Sequence, residues 1–571
     1  TQRLGRGGRG GAQEAVGGDA LQEIVVTATG TRISGFDAPT PLTEVSREEL
    51  QAKAIQRVSD LLVDIPAFSA NQNIGRTSAS IGSSNFDLRG LGTARTLLLL
   101  DGRRVAPTDP AGTIDTNIIP AGLIRSVEIV TGGASAAYGS DAVSGVVNIF
   151  LDHKFEGLKG DFQYGMSSYD DVKTTAVSLT GGHAFMDGRL HVVGSADYYD
   201  NRGQLRQASR PWGRDDYALI TNPDGPPNQI RAAHTRFSQL TNGGVATLNN
   251  IPALRGIQFG PGGTVLPFNY GTSVGSTFMI GGDGGTMAGD ANILPEIGRK
   301  SAFTRITFDV SDSVSVYADA LYAKTDAFSD SAYPVNRSPI VIQRDNAFLP
   351  QQVADIMDAN GVTTFSMGRI VEEAGKTNTS IENTIERYGL GIEGRFGNGW
   401  IWDASLQLSR NDYYRADGNN QHLRRYALGV DSVIDPDTNQ PICRARLNAP
   451  DSTDPDIANC VPINIFGPGS ISQQALDYFR GIAWLDSQQE QRLFSFNLSG
   501  GLLENWAGEV FVAVGGEYRE DEIEASSDPV SQANGWFAVN SKPLSGKVDV
   551  KEAYAEVVVP LLNDSPFGYA M

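Results

Sequence analysis

The sequence predicts a small α+β domain followed by a transmembrane antiparallel β-barrel. Three observations carry that prediction. Near residue 130, two β-branched runs flank a segment of Gly, Ala and Ser. After Leu151 the texture changes to long segments in which apolar and polar residues alternate. The connections between those segments are alternately short and long, the habit of outer-membrane barrels.

Bulk properties narrow the class. A chain of 571 residues can hold several soluble domains or one large barrel. A formal charge of −20 excludes nonspecific nucleic-acid binding, which needs a basic face. No apolar run reaches the 18 residues of a membrane helix. That leaves barrel strands untouched, because they are short and only half apolar.

Taken in order, residues 1–20 are rich in Gly and Arg, lack a periodic apolar face and are expected to be a disordered tether. Residues 21–30 follow, with strong β propensity from Ile24 to Thr27. An unpaired strand there offers its N–H and C=O row to a partner sheet; a plain first strand of the next domain is the alternative. Ser46-Arg-Glu-Glu49 is a capping box that predicts a helix over 47–56. Val58 to Pro66 reads as a second short helix, stopped by its proline. Thr96 to Leu100 reads as a strand buried on both faces, since its four leucines do not alternate. Asp101-Gly102 then makes a turn.

The stretch from Ile118 to Phe150 organises the chain. Val127–Val130 and Val143–Ile149 read as strands. Between them Gly132, Gly133, Gly139 and Gly145 can adopt positive φ in tight turns, and small side chains allow close backbone packing. A phosphate loop would want Lys and then Ser or Thr after the glycines, and neither run has it. Ile124, Val127, Glu128, Gly132, Ser135, Tyr138, Gly139, Ala142, Gly145, Asn148 and Ile149 fall in order on the plug signature of TonB-dependent outer-membrane receptors. The chain resembles that family, with one departure at Gly133, where many members carry Pro. Arg89-Gly90-Leu91-Gly92 and Leu100-Asp101-Gly102-Arg103-Arg104 match further pieces of the same plug.

The resemblance implies a Ton box at 21–30, a plug domain at 31–152 and part of a barrel at 153–571. It implies that Glu23, Ile24, Val25, Val26 and Thr27 bind the energy-coupling protein TonB. Arg89, Arg103 and Arg125 are candidates either for pairing with acidic groups of a barrel wall or for ordinary solvated charges.

After Leu151 the alternation has period two. Leu158, Phe162, Tyr164 and Met166 share one face; Tyr388, Leu390, Ile392 and Phe396 another; Trp402, Ala404, Leu406 and Leu408 a third; and Val510, Val512, Val514 and Tyr518 a fourth. A soluble sandwich has the same period. Length, connections and aromatic placement favour a barrel instead. The segments run about 12 to 16 residues, against a usual five or six in soluble sheets. Short turns fall near Asp187-Gly188, Ser311-Asp312, Asn398-Gly399 and Glu504-Asn505, and long connections cover roughly 202–299, 329–381, 416–488 and 522–545. Trp400, Trp402 and Trp506 sit by short turns; Tyr198, Tyr199, Tyr413 and Tyr414 sit by long loops, suiting two interfacial girdles. About ten strands are expected, near 156–169, 172–186, 188–201, 300–311, 313–327, 384–397, 399–414, 490–503, 506–521 and 547–561. Plugged barrels of the family have roughly 22, so the sequence looks like the amino-terminal part of a receptor.

Cys443 and Cys460 fall in one long loop. The expected oxidising compartment favours a disulfide; free thiols or a metal pair are the alternatives, and no second pair or nearby His supports zinc. His153, His183, His191, His234 and His422 are scattered, without metal spacing. The single Gly281-Gly-Asp-Gly-Gly285 run reads as a flexible loop. Neither a catalytic constellation nor a cofactor is expected. The resemblance implies TonB-dependent import of a siderophore, cobalamin, oligosaccharide or peptide across the outer membrane, with membrane lipid around the sheet. A passive channel, or a binding-only truncated fragment, is the alternative.

Overall fold

The computed structural model describes residues 42–46, 65–68 and 81–561, apart from 133–134, 140, 204, 215, 223–224, 249, 275–276, 287–291 and 398. The expected tether, Ton box, helix over 47–56 and most of the helix ending at Pro66 lie outside the described residues.

The small domain is built on strands β1 (Leu42–Val45), β2 (Thr96–Leu100), β3 (Arg103–Arg104), β4 (Ile124–Val130) and β5 (Gly145–Leu151). They make one sheet in the order β1-β4-β5-β2-β3. β2 and β5 run parallel. The four leucines of β2 are all buried, which explains their lack of alternation. Between β4 and β5 the chain forms a short helix, α1 (Ser135–Tyr138), where the sequence suggested only turns. Gly139 and Gly145 do adopt positive φ, at 77° and 139°. At Gly145 a side chain is excluded twice over, because a Cβ would also lie 2.1 Å from the Val130 carbonyl oxygen.

Ten strands of a second, larger sheet follow among the described residues. They are β6 (Gly157–Met166), β7 (Lys173–Phe185), β8 (Leu190–Arg202), β9 (Glu296–Ser311), β10 (Val314–Asp330), β11 (Asn378–Phe396), β12 (Trp400–Gln421), β13 (Arg480–Asn505), β14 (Gly508–Ser527) and β15 (Leu544–Val558). They form one antiparallel meander in chain order, with β6 and β15 as its edges. The strands are longer than expected, reaching 26 residues in β13. Their extensions carry charge on the outward face, as at Arg410, Asp412 and Arg492, and the ladder continues past the apolar band toward the loops.

The burial of this sheet is inverted relative to a soluble protein. Tyr388 and Leu390 are more than half exposed while Arg387, the residue before Tyr388, is 4% exposed. Leu406 and Leu408 are exposed while Gln407 and Ser409 are buried. An apolar outer face over a polar inner face is stable only against lipid. No helix among the described residues is long and apolar enough to cross a membrane.

Short turns at 186–189, 312–313, 397–399 and 506–507 form one rim. The last turn is therefore two residues beyond its expected place. Long connections at 203–295, 331–377, 422–479 and 528–543 form the other rim. Of the tyrosine pairs expected in a girdle, Tyr198 and Tyr414 point outward, and Tyr199 and Tyr413 are buried on the inner face. Neighbours along a strand cannot share a face.

The long connections carry a fold of their own. Segments 245–267, 335–374 and 426–479 share one apolar core that includes Phe259, Val353, Met357, Phe365, Tyr426, Phe466 and Phe479. Cys443 and Cys460 are joined within it, with Cα atoms 6.2 Å apart. Gly281 and Gly282 end a paired strand (Phe278–Gly282), and Asp283 accepts hydrogen bonds from Gln258 and Asn269, so this run is an ordered joint and not a free loop.

Candidate functional site

The small domain lies on the polar inner face of the sheet. Its core residues Leu98, Leu100, Val127, Ile129 and Ile149 pack together with Val193, Phe303, Leu321 and Ile385 of the wall. Gly122 is the closest approach: a Cβ there would meet Thr180 Oγ1 at 2.4 Å and Ser178 Oγ at 2.9 Å. Charged contacts lie to either side of it.

The Asp101-Gly102 turn, with φ of 52° and 76°, reverses the chain between β2 and β3 and presents Arg103 and Arg104 in succession. The Arg104 side chain is buried. Its Nη1 lies 2.7 Å from Asp141 Oδ2, its Nε 3.0 Å from Glu517 Oε1, and its Nη2 3.6 Å from Glu552 Oε2. Nη2 also donates to the Tyr138 carbonyl. Arg519 of β14 completes the cluster, 3.3 Å from Asp141 and 2.9 Å from Asp521. Gly139 must be small here, since a Cβ would fall 2.6 Å from Glu552 Oε1. Two guanidinium groups and four carboxylates thus bridge the small domain to β14 and β15.

Arg103 takes the other side. Its Nε donates to Ser405 Oγ at 2.9 Å, and its Nη2 stands 3.9 Å from Asp403. Its guanidinium carbon is 5.1 Å from the centre of the Tyr317 ring, which Arg305 also covers at 3.7 Å. The Arg104 carbonyl accepts from Gln407 Nε2 at 3.0 Å, and Arg387 pairs with Asp319 at 3.0 Å.

Asp101 holds a second junction. Its Oδ1 accepts from the Leu151 N–H at 2.9 Å, and its Oδ2 lies 2.9 Å from His153 Nε2. Arg305 of the wall approaches that same nitrogen at 3.5 Å. Burial works against the charge of Asp101, but His153 and Arg305 outweigh it and hold the carboxyl at about 2.

The remaining signature residues brace the backbone. Asn148 Oδ1 accepts from the Gly102 N–H at 3.0 Å. Ser135 Oγ donates to the Ala142 carbonyl at 3.0 Å. Glu128 is buried. Burial and then the charge of Glu128 push the Tyr138 phenol far above its ordinary value. Gly90 and Gly92 take φ of 67° and 108° in the turn that Arg89 begins. Arg89 itself donates to the Thr131 carbonyl within the small domain, and Arg125 stands 5.6 Å from the Phe150 ring. Of the three arginines that sequence offered as wall contacts, Arg103 alone makes one among the described residues. Arg104 and His153 were missed; adjacency to Arg103 in a strand was a signal for the first, since successive residues face opposite ways.

Toward the long-loop rim the small domain presents a turn over residues 107–115. Asp109 Oδ1 accepts from the N–H groups of Ala111 and Thr113, and the Thr108 carbonyl accepts from Asn383 of the wall at 3.0 Å. Asp115 Oδ1 accepts from the N–H groups of Ser84 and Asn117, yet burial raises its carboxyl to about 6. A cavity of about 210 Å³ runs beside this turn, lined in part by Asn85, Pro107, Gly112, Arg104 and Gln491. Among the described residues no group of three His, Cys, Asp or Glu is placed to hold a metal ion.

Comparison with known proteins bears on this arrangement. Residues 34–146 match the family model of the TonB-dependent receptor plug domain. Pseudomonas aeruginosa FpvA, solved bound to heterologous pyoverdines, is similar in fold at 12% identity and a TM-score of 0.51, over 94% of this chain and 52% of that one. The ferripyoverdine receptor of the Pseudomonas aeruginosa outer membrane, bound to ferripyoverdine, is 12% identical with a TM-score of 0.49, over 93% of this chain and 51% of that one. The ferric enterobactin receptor PfeA of the same organism is 13% identical with a TM-score of 0.47, over 91% and 56%. This chain spans about half the length of the solved structures it matches. At these identities the likeness, carried by the first structure, is one of fold.

Proposed function

We infer from this chain being a TonB-dependent receptor, with a plug domain docked on a barrel-type sheet, that it serves energy-coupled uptake of a scarce or bulky nutrient across the bacterial outer membrane. The observation that carries the reading is the plug seated by charge on the polar face of a sheet whose other face is apolar. A passive pore needs no such occupant.

The plug is placed at 31–152, the partial barrel at 153–571, and the Ton box at 21–30. The short-turn rim faces the periplasm in this reading, and the long loops face outside. Loops and the turn over 107–115 receive the ligand. Glu23, Ile24, Val25, Val26 and Thr27 add as a strand to TonB, which supplies main-chain pairing without a preformed pocket. TonB then pulls, and the work comes from the inner-membrane proton gradient. Water entering between plug and wall can solvate the Arg104 and Arg103 clusters as they separate, which an apolar seal would not allow. The reading assigns no catalytic step and no cofactor. The siderophores named for FpvA and PfeA belong to those receptors; for this chain siderophore, cobalamin, oligosaccharide and peptide stay open.

The test is a comparison of cells making the native protein with cells making it without residues 23–27. Periplasmic extracts from both, with and without an uncoupler, are compared by mass spectrometry after feeding a mixed medium. The reading expects at least one solute to accumulate only with the intact protein and only with the gradient. Accumulation that survives both the deletion and the uncoupler would favour a passive channel.

A further inference from the structure

One of the joints between the wall and the long-loop fold can sense acid. His422 follows β12 directly and caps the helix over 423–430: its Nδ1 accepts the backbone N–H of Arg425 at 3.4 Å. An accepting Nδ1 places the ring proton on Nε2. The ring is buried at 7% exposure and meets the Trp536 ring edge-on, with centroids 5.4 Å apart. Its backbone N–H donates to the Phe479 carbonyl, and Leu423 N–H donates to the Gly535 carbonyl. His422 and Leu423 therefore tie the wall and the capped helix to the far end of their own loop and to one other loop.

The helix it caps is part of the loop core. Tyr426 and Val430 are buried there, Tyr426 packs on Phe479 with centroids 5.2 Å apart, and its hydroxyl accepts from Asn336 of a third loop at 3.1 Å. Loss of the cap would be felt across that core.

We propose that His422 is an acid-sensitive joint: protonation of its Nδ1 cancels the helix cap and loosens the helix over 423–430 where the loop fold meets the wall. The charged groups around the ring decide the sign. Arg424 and Arg425 of the capped helix oppose a second cation. Asp456, which pairs with both at 2.8 and 2.7 Å, favours it from further along the same loop. Tyr478 and Trp536 are neutral, and Asp528 is engaged by the Trp536 indole N–H at 2.8 Å. Burial first, with the two arginines, lowers the imidazole from its ordinary value against the pull of Asp456. A His with a depressed value contributes stability that is present at neutral pH and lost as the medium acidifies. That this medium is the cell exterior rests on the orientation proposed above; the joint itself does not.

The experiment is hydrogen–deuterium exchange of the purified native protein in detergent at pH 7.5 and pH 5, corrected for intrinsic exchange and read on the 423–430 segment. Losing one cap should open the helix about fivefold more often. His422→Asn keeps an accepting oxygen and cannot titrate, so its protection should be flat across the same range. Equal acid sensitivity in wild type and His422→Asn would overturn the proposal. If the variant does not fold, the ring 15N shifts of His422 in the wild type give a second reading. A ring that titrates between pH 7.5 and 5 while helix protection stays constant also overturns it. Neither readout depends on transport or on TonB, so a failed uptake assay leaves this test standing.

Discussion

Replacing Arg104 by Met removes a buried guanidinium from three carboxylates and keeps most of its stem. Glu517, whose side chain is 21% exposed, loses its closest cation at 3.0 Å. Arg519 stands 3.7 Å away as partial compensation. Asp141 and Glu552 are 43% and 37% exposed, so water screens them and each contributes well under about 1 kcal/mol. Breaking a buried pair from one side costs about 3–5 kcal/mol, and the lower end fits this cluster. Hydrogen exchange of the 96–104 segment in the detergent-solubilised protein should then show opening about a hundredfold more frequent. Glu517→Gln alone should weaken docking less, because the amide can still accept. The double variant should recover about 1–2 kcal/mol of the summed loss, as partners in one network do. Effects that simply add, within about 0.5 kcal/mol, would mean that Arg104 and Glu517 do not hold the plug to the wall.

Three further outcomes follow from the same geometry. Asp101→Asn should cost about 2 kcal/mol at pH 7 in urea unfolding, because a carboxyl held at about 2 adds stability above its unfolded value of 3.8; the gap to wild type should close as pH falls toward 2. Asp115 has the opposite sign: held at about 6, it lowers stability as pH rises from 4 to 6. Asp115→Asn keeps an oxygen for both N–H donors, so it should be at least as stable as wild type at pH 7, and clear destabilisation would contradict burial as the cause. Replacing Cys443 and Cys460 together by Ser should cost the loop fold about 3 kcal/mol, the closure entropy of a loop with the observed separation of 17, read as faster proteolysis within 422–479 with the sheet unchanged.

The ten strands were legible because an alternating pattern survives whichever side faces lipid. Which side is apolar-out was not, since period two has no sign; the exposure of Leu390 beside buried Arg387 supplies it. Strand ends were missed where the outward residues turn from apolar to charged, as from Leu408 to Arg410, while the ladder goes on unbroken. The loop fold left no local trace. Its contacts join residues from different loops, such as Phe259 with Phe466 at 4.9 Å, and no window of sequence contains both partners. The plug signature was read residue by residue because it fixes turns and close approaches, at Gly139 and Gly145 above all. The pairing of Asp101 with His153, 52 residues apart in sequence, needed the fold.

The central claim is that this plug is one that TonB engages through residues 23–27. Equilibrium binding of the periplasmic domain of TonB to the native protein, with and without those residues, tests it most directly. The account predicts saturable binding that disappears with the deletion and returns with a peptide-length graft of Glu23 to Thr27. Equal binding by both forms, or none by either, would contradict it.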